Sequence, residues 1–227
     1  MEFEMDKRIN RLLLEQCAQG TRWLLDKGFT PSGDSGDVSL RDPNTGLIYI
    51  SGFLKGLPFP YVDFHDFRAQ DMAVFELDGT KISPWCDATI ETPMHLAIYR
   101  DRPDVNCVVH SHPLWASIFA IAGMDIPLSL AEQYINLGAE IRTARYAPAG
   151  DMLMGEYIVE ALGSNNAAIM ANHGAVTCGP TMEFAFRYSH FLENIAQKTI
   201  FAKLLGQVNT IRPEDILAEH LMEGTRP

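Results

Sequence analysis

The chain has 227 residues, 47% of them hydrophobic and 21% charged, a composition typical of soluble globular proteins with a sizeable core. Its 18 basic and 29 acidic residues give a net charge of −11, which argues against partners such as nucleic acid or an anionic membrane. The four cysteines are widely spaced, and no apolar run approaches the length of a membrane span. We therefore expect a cytoplasmic protein with reduced thiols, folded as one domain over 1–227 with 207–227 as a polar tail.

Apolar periodicity and turn residues predict helices interleaved with short strands. In chain order these are a helix at 7–27, interrupted or ended early near Gly20, strands at 38–41, 47–50 and 72–77, another short strand after the turn at 78–79, a helix at 92–100, a strand at 107–112, helices at 114–122, 132–137 and 152–162, a strand at 167–170, a second strand within 172–179, and helices at 182–205 and about 215–222. Residues 53–69 show no clear period. The pattern predicts an α/β fold, and its hairpin signals predict a mixed sheet with helices on both faces.

The stretch 107–113 carries the strongest chemical signal. An apolar β-branched run delivers His110 and His112, and Pro113 then stops the strand. Side chains at i and i+2 of a strand leave the same face, so both imidazoles point into one space. Such a pair is typical of a zinc site, although a surface pair or a hydrogen-bonded core pair has the same spacing.

A third ligand must come from elsewhere in the chain. His173 ends a buried strand just before Gly174, and strand ends of one sheet meet at one rim, so its position is the most favourable. His95, on a helix, is a candidate ligand or a partner of one. Glu91 stands at the same helix start, where a carboxylate either caps the helix or, near a metal, serves as a general base.

Two turns are candidates for anion binding. Residues 35–39 include Gly36 and Asp37, and Ser51-Gly52 closes a later strand. Their backbone N–H groups and hydroxyls could form an anion nest, while ordinary hairpin turns have the same composition.

Taken together, these pieces resemble the class II aldolase and adducin-head family, which contains sugar-phosphate aldolases and epimerases. The resemblance covers roughly residues 10–205. The matching motifs are Gly36-Asp37-Val38-Ser39, Ser51-Gly52, Glu91 with His95, Ile98-Tyr99, Arg102-Pro103-Asp104-Val105, His110-Ser111-His112 and His173-Gly174.

The resemblance implies a single-domain α/β fold with a largely antiparallel mixed sheet sandwiched between helices. It implies His110, His112 and His173 as ligands of Zn²⁺, or of Mn²⁺, Co²⁺ or Fe²⁺, and Glu91 as the acid/base. The implied reaction is cleavage of a hydroxy-ketone or sugar-type small molecule through a zinc-stabilised enediolate. The resemblance also implies a homotetramer with active sites at subunit interfaces.

Departures from the family pattern concern the substrate. The phosphate loop of the family usually carries Asn where this chain has Asp37. Ahead of the glutamate, the phosphate-using aldolases often have two serines where this chain has Thr89 and Ile90. Both changes weaken the case for a phosphorylated substrate, although Gly36, Asp37, Ser51, Gly52 and Thr89 remain the predicted substrate-binding set. In place of the usual aldolase tyrosine, Glu132 is a candidate second acid/base beside a surface role, and Tyr134 is a weaker candidate.

Three alternatives stay open. The same site supports decarboxylation, dehydration or epimerisation of a hydroxy-keto acid or sugar phosphate, because fold and ligands do not fix the reaction. A non-catalytic adducin-head-like binding module would keep the fold alone. A purely structural zinc would need a fourth protein ligand, and Glu91 is the one natural candidate.

Overall fold

The structure is a computed structural model and describes residues 6–31, 35–54 and 64–216. Its helices are α1 (Arg11–Asp26), α2 (Thr92–Asp101), α3 (Leu114–Ala122), α4 (Ala131–Leu137), α5 (Met152–Leu162) and α6 (Met182–Leu205). Its strands are β1 (Asp37–Arg41), β2 (Ile48–Leu54), β3 (Met72–Phe75), β4 (Cys86–Ala88), β5 (Cys107–Ser111), β6 (Thr143–Ala144), β7 (Ala167–Met170) and β8 (Gly174–Gly179). Much of the irregular stretch 53–69, and most of the helix predicted near 215–222, lie outside the described residues.

Within the described residues the strands form one eight-stranded sheet in the order β3-β2-β1-β5-β8-β7-β6, with β4 paired to β2. Every pairing is antiparallel except that between β6 and β7. Consequently β1, β5 and β8 lie side by side at the centre, and the end of β5 meets the start of β8. This is the predicted mixed, largely antiparallel sheet.

Helices cover both faces of the sheet. Alternate residues of each strand enter different hydrophobic clusters: Val108 packs with residues of α2 and α5, whereas Val109 packs with residues of α1 and α6. His110 follows Val108 at i+2 and therefore faces α2, the helix that begins next to Glu91. The alternation of side chains along β5 thus directs His110 toward the side of the sheet where Glu91 lies.

The predicted interruption of α1 near Gly20 is wrong. The helix runs unbroken from Arg11 to Asp26, with Gly20 buried in its middle. A Cβ at Gly20 would lie 2.9 Å from Sδ of Met182 and 3.0 Å from Cγ1 of Val38. Glycine is there because α1 approaches β1 and α6 closely, and tertiary packing outweighs its poor helix propensity.

The hydroxyl of Thr199 in α6 provides a test of the core. Thr199 is 2% exposed, and its Oγ1 has no hydrogen-bond partner within the described residues. Thr199→Val keeps the shape and removes a buried unpaired group, so we expect the free energy of unfolding to rise by about 1 kcal/mol in chemical denaturation. Thr177→Val is the matched control and should lower it, because Thr177 Oγ1 donates to the carbonyl of Ala185 at 3.1 Å. Destabilisation by Thr199→Val would contradict the expectation.

Across the described ranges, no helix has both the length and the apolar character needed to cross a membrane. The assignment of 1–227 to one domain with 207–227 as a tail stays a prediction.

Candidate metal centre

The three predicted histidines converge at the rim formed by β5 and β8. His110 lies in β5, His112 directly after it, and His173 in the turn between β7 and β8. One ring nitrogen from each lies within 4.8 Å of those of the other two. They meet because β5 and β8 are hydrogen-bonded neighbours, with Ser111 opposite Ala175. His173 thus reaches the same rim as predicted, although it lies in the turn after β7, which ends at Met170, and its role as a ligand stays a prediction.

The imidazole hydrogen bonds leave ligand nitrogens facing one another. Nδ1 of His110 donates to the carbonyl of Ala175 at 3.1 Å, so its Nε2 carries the lone pair. That Nε2 lies 3.2 Å from Nε2 of His112. Two nitrogens bound tetrahedrally to zinc are separated by roughly 3.3 Å, given zinc–nitrogen bonds of about 2.0–2.1 Å. The histidines therefore fit a divalent metal without rearrangement of this pair.

Burial favours the neutral imidazoles of His110 and His173, which is the form that binds metals. His110 is 1% exposed, and burial, aided by His112 and His173 and opposed by Asp37, lowers its pKa to about 3. Burial likewise lowers the pKa of His173, again opposed by Asp37. Both groups are therefore ready to bind a cation at neutral pH.

Glu91 stands beside the histidines with an unused carboxylate oxygen. Its Oε1 lies 3.8 Å from Nε2 of His173, and its buried Oε2 has no hydrogen-bond partner among the described residues. Its side chain makes no capping bond to α2, which disfavours the helix-capping interpretation. Burial, reinforced by the charge of Asp37, raises the pKa of Glu91 to about 8. A proton or a nearby cation would stabilise this carboxylate, as expected of an acid/base group.

Asp37, predicted to bind substrate, is instead turned inward. It is 3% exposed, its Oδ1 accepts from Nε2 of His95 at 2.6 Å, and its Oδ2 accepts from Oγ1 of Thr89 at 2.6 Å. Burial alone would raise the pKa of Asp37, but electrostatic interaction with His95 and a hydrogen bond from it, together with His110 and Thr89, lower it to about 2. Both oxygens of this carboxylate are already occupied.

The predicted anion nest is also largely occupied from within. Oγ of Ser51 accepts from the N–H of Val38 at 2.9 Å and pairs with Oγ1 of Thr21 at 2.7 Å. The glycines have a packing role: Gly36 has φ of +99°, and a Cβ there would lie 2.7 Å from the carbonyl oxygen of His110. A Cβ at Gly52 would collide with the carbonyl of Asp87. Close approach of strands explains these positions at least as well as anion binding does.

Glu132 and Tyr134 lie on α4. The carboxylate of Glu132 accepts from Nζ of Lys198 on α6 at 2.8 Å. Both residues of this pair line a cleft of about 540 Å³ among α1, α4 and α6. Of the described residues, neither Glu91 nor the three histidines line it. Glu132 is therefore paired with Lys198, and the role of Glu132 as second acid/base stays a prediction.

Ser39 and Tyr99 are two further polar residues of this site, and their spacing from Asp37 and His95 along the chain is a sequence signal for them. Oγ of Ser39 lies 2.6 Å from Nδ1 of His95 and 2.8 Å from the hydroxyl of Tyr99. Ser39 follows Asp37 at i+2 on a strand, and Tyr99 follows His95 at i+4 on a helix, so each pair shares a face. His95, a candidate ligand or partner of a ligand, is bonded to Asp37 and Ser39, and it is not among the three histidines whose nitrogens converge.

Comparisons with known proteins agree with this geometry. Residues 15–200 match the family model described as Class II Aldolase and Adducin N-terminal domain. The chain is 28% identical over 192 residues to the 5-deoxy-D-ribulose 1-phosphate aldolase of Bacillus thuringiensis serovar kurstaki, covering 85% of each chain. It is 30% identical over 176 residues to the L-fuculose phosphate aldolase of Methanococcus maripaludis, covering 78% of this chain and 89% of that protein.

The fold also matches solved structures. An L-fuculose 1-phosphate aldolase superposes with a TM-score of 0.85 at 22% identity, covering 95% of this chain and 98% of the other. A sugar-phosphate aldolase from Thermotoga maritima superposes with a TM-score of 0.70 at 18% identity, covering 88% and 99%. The superpositions confirm the predicted fold, and the family match together with the curated relatives confirms the predicted class II aldolase-type lyase. The chain belongs to the class II aldolase and adducin N-terminal domain family.

Proposed function

We propose that the protein is a metal-dependent aldolase that cleaves a hydroxy-ketone or sugar-type small molecule. The observation that carries the proposal is the trio of imidazoles, whose ligand nitrogens lie within 4.8 Å of one another, next to a carboxylate with one buried oxygen that has no hydrogen-bond partner among the described residues. In this proposal His110, His112 and His173 hold the metal and Glu91 is the acid/base. Zn²⁺ suits the all-imidazole set best, with Mn²⁺, Co²⁺ or Fe²⁺ as alternatives.

When bound, such a cation supplies Lewis-acid polarisation of a ketone oxygen. Glu91 handles the proton. During cleavage the β-hydroxyl gives its proton to water, the bond between the α and β carbons breaks, and the α carbon takes a proton from Glu91, which regains one from water. In the direction of synthesis, Glu91 removes that proton. Its buried position and raised pKa favour a group that alternates between acid and carboxylate near neutral pH.

Two sets of observations differ on whether the substrate carries a phosphate group. Relatives named as sugar-phosphate aldolases support a phosphorylated substrate. The inward-facing Asp37 and the internally bonded Ser51 support one without phosphate, because a fixed carboxylate repels a dianion and these side chains are already engaged.

A matched pair of donors tests the proposal. Dihydroxyacetone and its phosphate are each mixed with glycolaldehyde, using chelator-stripped protein and protein reloaded with zinc. We expect zinc-dependent carbon–carbon bond formation with at least one donor. The donor that reacts faster shows whether the enzyme prefers a phosphorylated substrate. The contrary result has two parts. No aldehyde in a short panel reacts, and a hydroxy-keto acid instead releases carbon dioxide or loses water. This result would favour the decarboxylase or dehydratase alternative over the aldolase.

We also propose a homotetramer with active sites at subunit interfaces, located in the cytoplasm. Directly after His112, α3 exposes an apolar stripe at i, i+4 and i+7: Leu114 is 59% exposed, Ile118 39% and Ile121 74%. Such a stripe is typical of a protein-binding face. The four cysteines are free and buried, which supports a reducing compartment.

Ile121→Glu tests this assembly. A charge in the centre of a buried interface is costly, so we expect the variant to elute as a smaller species in size exclusion with light scattering. Glu140→Gln, a change at an exposed residue outside α3, is the control and should leave the mass unchanged. A monomeric wild type, or a tetramer unaffected by Ile121→Glu, would contradict the proposal.

A further inference from the structure

Asp37 holds the start of α2 through both carboxylate oxygens. One accepts from His95 and the other from Thr89, each at 2.6 Å. Thr89 lies two residues before Glu91, and His95 lies four residues after it. Oγ1 of Thr89 also accepts from the N–H of Glu91 at 3.2 Å. A single carboxylate therefore ties down the backbone on both sides of Glu91.

The same carboxylate is fixed to the metal-ligand strand. Asp37 is the first residue of β1 and pairs directly with His110 across to β5. Side chains of such a cross-strand pair emerge next to each other on one face of the sheet. Asp37 therefore connects the segment of Glu91 to the strand of His110.

The surrounding hydrogen bonds make Asp37 the end of a directed chain. The buried hydroxyl of Tyr99 lies 2.8 Å from Oγ of Ser39, within hydrogen-bond distance. All protons are used if Tyr99 donates to Ser39, Ser39 donates to Nδ1 of His95, and Nε2 of His95 donates to Asp37. With Thr89 donating as well, position 37 must accept twice. A carboxylate does so, whereas an amide would present N–H groups to one of the donors.

The carboxylate of Glu91 has little else to hold it. Its Oε2 has no hydrogen-bond partner among the described residues, and its side chain makes no cap bond. Its location therefore depends on the backbone that carries it. We infer that Asp37, through Thr89 and His95, is a positioning residue that sets Glu91 against the three-histidine site. This inference rests on the proposed acid/base role of Glu91.

A double-mutant cycle tests the coupling. Thr89→Val keeps the shape and removes the hydroxyl, and we expect kcat to fall between about tenfold and a hundredfold with KM nearly unchanged and zinc retained. Thr89→Ser restores the hydroxyl and should recover most of the lost rate. In a Glu91→Gln background, Thr89→Val should cost almost nothing further, because the group that it positions is already gone. An equal loss in both backgrounds, or a raised KM with unchanged kcat, would overturn the inference in favour of independent action or direct substrate contact.

Hydrogen exchange tests the same inference without activity. In metal-free protein, we expect the peptide containing Glu91 to exchange about tenfold faster in Thr89→Val and Asp37→Asn than in wild type, with Thr89→Ser close to wild type. Unchanged exchange in both variants would overturn the positioning role. If the wild type has no aldolase activity, or if Glu91→Gln keeps the full rate, the proposed function fails, and exchange still decides whether Asp37 holds this segment.

Discussion

His110→Ala is expected to abolish both metal binding and catalysis. The ring of His110 is 4.9 Å from that of His112 and 4.8 Å from that of His173, and its Nε2 lies 3.2 Å from that of His112. Removing it leaves two imidazoles, which do not hold a catalytic zinc firmly. We expect less than about a tenth of the wild-type zinc content by elemental analysis, and no measurable aldol cleavage.

A matched control separates this loss from general damage. His65→Ala changes a histidine whose side chain is 63% exposed and lies near Asp26. It should keep full zinc content and rate, and both variants should show the same far-ultraviolet circular dichroism as the wild type. His110→Ala protein that is folded and still carries one tightly bound zinc per chain would contradict the assignment of the ligands.

Glu91→Gln is expected to separate chemistry from metal binding. Glutamine keeps the volume of the side chain, and three imidazoles remain for the metal, so zinc content should stay at the wild-type level. The proton-transfer group is lost, and we expect kcat to fall by about 10² to 10⁴-fold with a smaller change in KM.

The control for this change is Glu156→Gln, which alters an exposed glutamate on α5 and should leave kcat unchanged. Two results would contradict the role of Glu91. One is a rate within a few-fold of the wild type, which would assign the proton transfer to another group. The other is loss of zinc together with activity, which would make Glu91 a ligand of a closed structural site.

Local patterns predicted the elements that carry the ligands. Two-residue periodicity placed His110 and His112 on one face, and the bounds predicted for α3, α5 and α6 match the structure. The convergence of His173 with them was predictable from the buried strand before it, although that strand ends at Met170 and His173 lies in the following turn. These features depend on spacing along the chain, so a single sequence contains them.

Contacts between distant segments were not predictable in this way. Gly20 resembled a helix break, yet it serves the close approach of α1 to Val38 and Met182. The composition of Ser51-Gly52 left an anion nest and an ordinary hairpin turn both open, and it gave no sign that the Ser51 hydroxyl pairs with Thr21 on α1. The short strands β4 and β6 are held by neighbouring strands and carry little periodicity of their own. In each case a tertiary partner decided the outcome.

The central claim is that one metal ion in the three-histidine site makes this protein an aldolase. Its most direct test is a titration of chelator-stripped protein with zinc while carbon–carbon bond cleavage or formation is followed. We predict no rate without metal and a linear rise that ends at one zinc per chain. A full rate in metal-free protein, or no rate after the site is filled, would contradict the claim.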